Sequence, residues 1–299
     1  MKIHLIGLGK MGSNLARNLH SHKHDVRGFD LDSNQRLSLE KDGIKTYDNL
    51  KDLLTRTNKE RLVVWLMVPN HIVDNVISDI SPYLREKDII IDGGNSNFNK
   101  SVERYHRLNE LEIEFVDVGT SGGTYGARFG ACLMVGGSKD TFDYLKDVYK
   151  DISLDKGYGY MGGPGAGHFT KMVHNGIEYG MMQAIGEGFE LIEKSPFKVD
   201  YKMLSEVWNN GSIIASNLID FAAKAFNKDA KLERLLGRID DSGEGKWMVE
   251  TALDYEVALP VIAGSLFTRY KSRDDDKFSE RVVAALRREF GGHAIYKKK

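Results

Sequence analysis

The sequence predicts two domains, an α/β domain with alternating strands and helices and then an all-helical domain. The first half alternates short runs rich in β-branched and aromatic residues with helical stretches. A glycine-rich motif follows the first apolar run and opens a helix. Near Gly162-Gly163-Pro164-Gly165 the strand signal mostly stops. We therefore place the boundary between residues 1–163 and residues 164–299.

The elements of the first domain have the order of a mostly parallel sheet with helices on both faces. Each predicted strand is a short apolar run, and each predicted helix lies between two such runs. The predicted strands cover residues 3–8, 25–29, 62–68, 89–91 and 113–118. The predicted helices cover residues 14–20, 71–80 and 102–111.

The second domain is predicted to be helical throughout. From Gly167 to Ile192 apolar residues recur with helical spacing over a long segment. We interpret this segment as one helix that runs out of the first domain into the second. Further helices are predicted at residues 201–209, 213–226, 247–270 and 277–288.

The composition of the chain excludes several classes of partner and location. The 299 residues include 42 basic and 43 acidic side chains, for a net charge of −1, so no nucleic-acid partner is expected. The lone Cys132 cannot form an intrachain disulfide, which is typical of a reducing compartment. No apolar run has the length of a signal peptide or a membrane span, so we expect a cytoplasmic protein without a membrane partner. No metal site is predicted.

The glycine-rich motif predicts a Rossmann-type nucleotide-binding domain. In a G-x-G-x-x-G motif the first glycine makes a tight turn, and the second lets the backbone approach a pyrophosphate. The third permits close helix–strand packing, and the helix N-terminus faces the phosphates. A plain glycine turn is the alternative, but the strand before the motif and the helix after it favour the nucleotide site. The motif reads Gly7, Leu8, Gly9, Lys10, Met11 and Gly12.

Three residues beyond the motif extend the predicted cofactor site. Asp30 ends the second strand, 18 residues after Gly12, where an acid can accept hydrogen bonds from the adenosine ribose. A solvated turn acid is the alternative for Asp30. Val68 ends the third predicted strand, and Asn95 follows the fourth.

Two polar loops follow successive predicted strands, at the edge of the sheet where this architecture binds ligands. The first is Asp92-Gly93-Gly94-Asn95-Ser96, and the second runs from Gly119 to Arg128. The second loop offers a hydroxyl and consecutive backbone N–H groups, which suit a carboxylate. A glycine-rich surface loop is the alternative for each.

The long predicted helix carries a polar face with candidate site residues. Lys171 and Glu178 are seven residues apart, so they face the same way at about 10 Å along the axis. His174 and Asn175 lie between them, and a sugar acid fits between two such side chains. A solvated ion-pair stripe is the alternative, although apolar neighbours crowd this helix.

These segments together resemble the decarboxylating 6-phosphogluconate dehydrogenases, and the length resembles the short form of that family. The resemblance extends over nearly the whole chain in family order, and its most specific part is Lys-Met-Val-His-Asn-Gly-Ile-Glu-Tyr-Gly at 171–180. The matching runs are residues 7–12, 92–96, 119–137, 167–183, 243–247 and 290–293.

The resemblance implies a reaction and a role for each matching residue. Lys171 would be the general base for the C3 hydroxyl, and Glu178 would protonate C1 of the enediol left by decarboxylation. The cofactor would be NAD, and a homodimer or homotetramer is implied. The implied substrate ligands are Ser121, Gly122 and Gly123 for the carboxylate, Asn95, His174 and Asn175 for the hydroxyls and the nicotinamide, Tyr179 and Arg269 for the phosphate, and Arg287 and His293 from a neighbouring subunit.

The sequence departs from the family pattern in two places. Ser242 and Glu244 replace a lysine and a threonine of the phosphate site, and an acid there would repel phosphate unless it is paired or points away. Asp30-Leu31-Asp32 replaces the Asn-Arg-Thr of NADP-dependent members. The second departure predicts a preference for NAD, with weaker use of NADP.

Two other functions compete with this one. A non-decarboxylating β-hydroxyacid dehydrogenase of the hydroxyisobutyrate type shares the nucleotide domain and a lysine and asparagine four apart. It does not account for Glu178 and Tyr179 or for the arginine-rich tail that ends in His293. A non-catalytic NAD-binding redox sensor would need neither Lys171 nor Glu178.

Overall fold

A computed structural model describes residues 1–56, 60–292 and 294–296. The chain divides into two compact units, Met1–His174 and Asn175–Lys299. The first unit contains an eight-stranded sheet with helices, and the second is helical, which confirms the predicted fold class. The domain bounds predicted from the sequence, residues 1–163 and 164–299, stay a prediction.

The sheet of the first unit has the order β3-β2-β1-β4-β5-β6-β7-β8. All neighbouring strands pair in parallel except β6 and β7, which are antiparallel. The strands are β1 (Lys2–Ile6), β2 (Asp25–Phe29), β3 (Lys45–Tyr47), β4 (Val63–Leu66), β5 (Ile89–Asp92), β6 (Glu114–Ser121), β7 (Ala131–Gly136) and β8 (Ser153–Gly162).

Helices cover both faces of this sheet, so its central strands are buried on both sides. Every residue of β4 and β5 is buried, which is why these strands are nearly continuous apolar runs. The helices of this unit are α1 (Lys10–Ser21), α2 (Ser33–Glu40), α3 (Leu50–Leu54), α4 (Val73–Ile80), α5 (Phe98–Asn109), α6 (Gly123–Phe129) and α7 (Lys139–Ile152).

Three strands lie outside the five that the sequence predicts. The strand β3 is only three residues long, and β8 contains Gly157, Gly159 and Gly162, a residue type that weakens strand propensity. The strand β7 reverses direction after α6 and pairs with β6 through Ser121 and Cys132. The segment predicted to bind a carboxylate, residues 119–128, is therefore also held by the following antiparallel strand.

The described part of the second unit contains five helices and the greater part of a sixth. The long predicted helix is present as α8, which starts in the first unit. The first three helices of this unit pack together through a small core of Phe189, Tyr201 and Phe226. The helices are α8 (Ala166–Lys194), α9 (Tyr201–Asn209), α10 (Asn217–Lys228), α11 (Glu244–Asp254), α12 (Pro260–Ser272) and α13 (Phe278–Gly291).

The prediction of one helix over 247–270 is wrong. The structure has α11 and α12 there, and Pro260 is the first residue of α12. Proline lacks an N–H group and restricts the residue before it to extended backbone, so the helix cannot continue through this point. Among the residues that the structure describes, no helix combines the length and hydrophobicity that a membrane span requires.

Candidate active site

The glycine motif forms a tight backbone turn between β1 and α1. Gly7 has φ +94°, and a Cβ there would lie 2.5 Å from the carbonyl oxygen of Met67. A Cβ at Gly12 would overlap the Gly7 carbonyl, whereas a Cβ at Gly9 would meet open space. The turn therefore needs glycine at 7 and 12 for packing, while Gly9 leaves room in front of the helix N-terminus for a phosphate.

Asp30 is bound to the glycine turn through its carboxylate. Its Oδ2 accepts the Leu8 N–H at 2.6 Å, and its Oδ1 accepts the Asp32 N–H at 2.9 Å. Arg36 donates from Nη1 to the carbonyl oxygens of Asp30 at 2.6 Å and Leu31 at 3.2 Å. The acid is therefore fixed at the end of β2 beside the turn, which is the arrangement that a ribose-binding carboxylate requires. These residues fit a bound dinucleotide.

The other predicted cofactor residues lie on α1 and in the segments that follow β4 and β5. Lys10 is the exposed first residue of α1, and Met11 beside it is half-buried. Val68 follows β4, and its Cγ1 would lie 2.9 Å from a Cβ at Gly7. Asn95 is exposed in the loop after β5.

A buried ion-pair network holds the loop that carries Asn95. The Asp92 carboxylate accepts the Gly94 N–H at 3.1 Å and the Ser96 hydroxyl at 2.8 Å. Arg104, which is 3% exposed, donates from Nη1 to Asp92 Oδ2 at 3.0 Å and also binds Asp74. Hydrogen bonds from Arg104 lower the pKa of Asp74 to about 2.

The end of β6 and the start of α8 bring three predicted site residues together. Ser121 Oγ and His174 Nε2 are hydrogen-bonded at 3.1 Å. Lys171 is half-buried, and its Cβ packs so close to Gly119 that a side chain at 119 would overlap it. Gly122 and Gly123 follow with φ +115° and +61°, and Gly123 opens α6. A lysine, a hydroxyl, an imidazole and exposed glycines thus share one end of β6.

In the second unit Tyr179 and Arg269, which are both predicted to bind the phosphate, lie against each other. The Arg269 guanidinium carbon lies 3.4 Å from the centre of the Tyr179 ring, and Arg269 donates to the Asp240 carbonyl at 2.9 Å. The Tyr179 hydroxyl donates to Asp241 Oδ1 at 3.1 Å. Burial raises the pKa of Tyr179, so its phenol keeps its proton at neutral pH. Asp241 is not among the residues that the sequence predicts for the site.

The acid that departs from the family pattern is paired and buried. Glu244 is 2% exposed, and its Oε2 accepts the Ser242 hydroxyl at 2.7 Å. A Cβ at the next residue, Gly245, would lie 2.6 Å from the Tyr179 ring. The 241–245 segment therefore packs directly on Tyr179. Of the two acids in this segment, Glu244 is hydrogen-bonded to Ser242.

The remaining predicted residues also lie in the second unit. Glu178 is half-buried and Asn175 is buried, both on α8. Arg287 is exposed on α13. His293 lies outside the described residues.

Two family descriptions cover most of the chain. Residues 2–162 match the NAD-binding domain of 6-phosphogluconate dehydrogenase, and residues 167–293 match the C-terminal domain of 6-phosphogluconate dehydrogenase. The first description agrees with the NAD site predicted from the glycine motif.

Relatives of known name agree with these descriptions. The chain is 50% identical to YqeC of Bacillus subtilis over the full length of both, a protein named only provisionally as a 6-phosphogluconate dehydrogenase. It is 38% identical to the NAD(+)-dependent, decarboxylating 6-phosphogluconate dehydrogenase of Haloferax volcanii, covering 100% of this chain and 99% of the other. It is 37% identical to the decarboxylating enzyme of Ovis aries, of which it spans 61%.

Solved structures show the same fold. The 6-phosphogluconate dehydrogenase of Plasmodium falciparum superposes with a TM-score of 0.84 at 30% identity, covering 100% of this chain and 66% of that one. The 3-hydroxyisobutyrate dehydrogenase of Mycobacterium tuberculosis superposes with a TM-score of 0.73 at 20% identity, covering 92% of this chain and 94% of that one. The second likeness concerns the fold alone.

Proposed function

Because this chain belongs to the 6-phosphogluconate dehydrogenase family, we propose that it converts 6-phosphogluconate and NAD to ribulose 5-phosphate, carbon dioxide and NADH. One observation carries the proposal. The half-buried Lys171 lies on the same end of β6 as the hydrogen-bonded Ser121 and His174, which puts a base beside groups that can bind a hydroxy acid.

The first unit holds the cofactor. The backbone of residues 7–12 and the α1 N-terminus face the pyrophosphate, and Asp30 accepts hydrogen bonds from the adenosine ribose. When bound, NAD accepts a hydride from C3 of the substrate. Val68 and Asn95 border the nicotinamide end of the site.

Lys171 performs the proton transfers of the oxidation. As a neutral amine it takes the proton of the C3 hydroxyl while C3 loses its hydride, which leaves a 3-keto acid. The ammonium of Lys171 then gives its proton to the new ketone oxygen while the C1–C2 bond breaks and its electron pair forms the C2–C3 double bond. Carbon dioxide departs, and an enediol remains.

Glu178 completes the reaction as an acid. It gives a proton to the terminal carbon of the enediol, which becomes C1 of ribulose 5-phosphate, while Lys171 takes back the proton from the enediol hydroxyl. Lys171 and Glu178 lie two turns apart on α8, a separation of about 10 Å. One helix therefore supplies both proton-transfer groups.

The substrate ligands divide according to their chemistry. The Ser121 hydroxyl and the N–H groups of Gly122 and Gly123 bind the carboxylate, whereas Asn95, His174 and Asn175 bind the hydroxyl groups. Tyr179 and Arg269 bind the phosphate, with the guanidinium as the charged donor.

The test is a stoichiometric assay with C1-labelled 6-phosphogluconate. Equal yields of NADH and labelled carbon dioxide are expected. Lys171→Met should lose oxidation by about 10²-fold or more, and Glu178→Gln should bind substrate but turn over slowly. Lys194→Met, at the exposed end of the same helix, is the matched control and should keep parental activity.

Each alternative function gives a different result in this assay. NADH without carbon dioxide would identify a hydroxyisobutyrate-type dehydrogenase. Binding of NAD with no NADH formed from any aldonic acid would identify a redox sensor. Near-parental hydride transfer in Lys171→Met would show that another group is the base.

Self-association into a homodimer or homotetramer belongs to the same proposal. Helix α13 exposes Phe278, Val282, Val283 and Leu286 at 64%, 41%, 55% and 57%, an apolar face of the kind that subunit interfaces cover. Arg287 follows this face directly and completes a neighbouring site together with His293. The cytoplasmic location inferred from the single cysteine, Cys132, is also part of the proposal.

A further inference from the structure

Alternate residues of β6 fasten the strand to the start of α8. Asp117, Gly119 and Ser121 point to one face of the sheet because side chains alternate along a strand. Gly119 lies under Lys171, and a Cβ at 119 would also come 2.8 Å from the carbonyl oxygen of Gly167. Ser121 is hydrogen-bonded to His174. The strand thus contacts α8 at Lys171 and again at His174, two residues further along β6 and three residues further along α8.

Asp117 makes the first contact of the series. It is fully buried, and its Oδ1 accepts the Gly165 N–H at 2.8 Å while its Oδ2 accepts the His168 N–H at 2.8 Å. These donors belong to the helix start, where N–H groups have no partner within the helix. A carboxylate at this end is also stabilised by the helix dipole.

Small residues let α8 approach the sheet backbone at the same point. A Cβ at Gly136 would lie 2.5 Å from the Gly167 nitrogen and 2.6 Å from Asp117 Oδ1. A Cβ at Gly167 would overlap the Asp117 carbonyl oxygen. With no side chain between helix and sheet, Asp117 joins β6 directly to the start of α8 through its two hydrogen bonds.

We propose that Asp117 is a positioning residue for the reaction, because its two hydrogen bonds set the register in which α8 presents Lys171 and His174 at the end of β6. This inference rests on the proposed role of Lys171. Asp117 itself touches neither substrate nor cofactor. A shift of about 1 Å in the position of a catalytic group can cost 10²-fold in rate, so loss of the register should reduce kcat far more than NAD binding.

The experiment compares Asp117→Asn with Asp88→Asn. An amide of the same size keeps one acceptor and loses the other, so one of the two N–H groups at the start of α8 loses its partner. Asp88 is a matched control because it is 1% exposed and accepts two backbone N–H groups, from Leu62 at 2.8 Å and from Arg85 at 2.9 Å. It precedes β5, at the opposite end of the strand from the Asn95 loop.

Asp117→Asn should lower kcat by about 10²-fold, with the Kd for NAD within about twofold of the parent. Hydrogen exchange at the Gly165 and His168 amides should quicken. Asp88→Asn should lower Tm but keep the parental kcat. A parental kcat in folded Asp117→Asn would overturn the proposal, and so would an equal loss of NAD affinity and kcat.

Gly119→Ala is a second variant that perturbs the register of α8 along β6. It provides the test if Asp117→Asn does not fold. Its methyl group meets Lys171 directly, so it should show the same loss of kcat with NAD binding retained. A parental kcat in Gly119→Ala would overturn the proposal. A parent enzyme that does not oxidise 6-phosphogluconate would refute the proposed function instead, and the exchange rates at Gly165 and His168 would still report on the Asp117 contact.

Discussion

The preference for NAD over NADP should depend on the carboxylate of Asp30. Both of its oxygens accept backbone N–H groups, from Leu8 and Asp32, so it cannot swing away to admit a 2′-phosphate. Arg36, the nearby cation, donates to the carbonyl oxygens of Asp30 and Leu31 instead. The NADP phosphate would therefore meet a fixed negative charge.

The cost follows from the geometry. Two like charges about 4 Å apart repel by about 4 kcal/mol at the effective dielectric near a protein surface, and ionic screening lowers this value. About 1.4 kcal/mol corresponds to a tenfold change, so a net cost of about 3 kcal/mol gives a preference of about 10²-fold. Rotation of Arg36 toward the phosphate would offset part of this cost.

The assay is catalytic efficiency with each cofactor in the parent and in Asp30→Asn/Leu31→Arg/Asp32→Thr. The triple variant should gain about tenfold or more with NADP and lose efficiency with NAD, since an asparagine can accept only one of the two N–H groups well. Asp25→Asn, at the other end of β2, should leave the ratio unchanged. A parent that favours NADP, or a triple variant with no gain, would refute this reasoning.

Three further predictions concern assembly and stability. Hybrids of Arg287→Ala and Lys171→Met subunits should regain activity, because one site in each hybrid has both parts intact. His4 is 1% exposed and burial lowers its pKa from 6.5 to about 4, so stability is full above pH 6.5 and falls by about 3 kcal/mol toward pH 4. Urea unfolding measures this loss, which His4→Asn should reduce. Arg104→Met should cost about 3 to 5 kcal/mol in the same assay, because it leaves Asp92 buried without its cation.

Each of these has a contrary outcome. Verified hybrids without activity would indicate a site built within one chain. An unfolding free energy that is flat from about pH 7 to pH 4 would show that burial does not lower the pKa of His4 in the folded protein. A loss below about 1 kcal/mol in Arg104→Met would show that the buried pair is replaceable, as some are.

The bounds of a strand or helix were predicted correctly where the apolar periodicity and the turn residues of the sequence agree. The strand Asp25–Phe29 and the helix Tyr201–Asn209 have the predicted bounds, because apolar periodicity and clear turn residues agree there. The helix over 247–270 failed because the apolar spacing continues across Pro260, and periodicity alone does not register a missing N–H group.

Contacts between distant residues could not be predicted. The motif residues indicated that Lys171 and Ser121 belong to one site, but nothing local ties Asp117 to Gly165, which is 48 positions away. The effect of Glu244 was equally hidden, since its hydrogen bond to Ser242 and its burial depend on how the segment folds over Tyr179. Sequence patterns identify groups that do chemistry more readily than groups that hold them.

The close approach of α8 to the sheet bears on attempts to change the substrate by directed evolution. Residues 119, 136 and 167 lie between the sheet and the helix that carries Lys171, and they would be obvious choices for saturation libraries. Any side chain at these positions overlaps backbone or the stem of Lys171, so nearly all library members would be inactive for a steric reason unrelated to specificity. Gly123, where a Cβ meets open space, has φ +61° and tolerates asparagine or aspartate better than branched residues. Diversity is better placed at exposed Thr124 and Tyr125, on the first turn of α6.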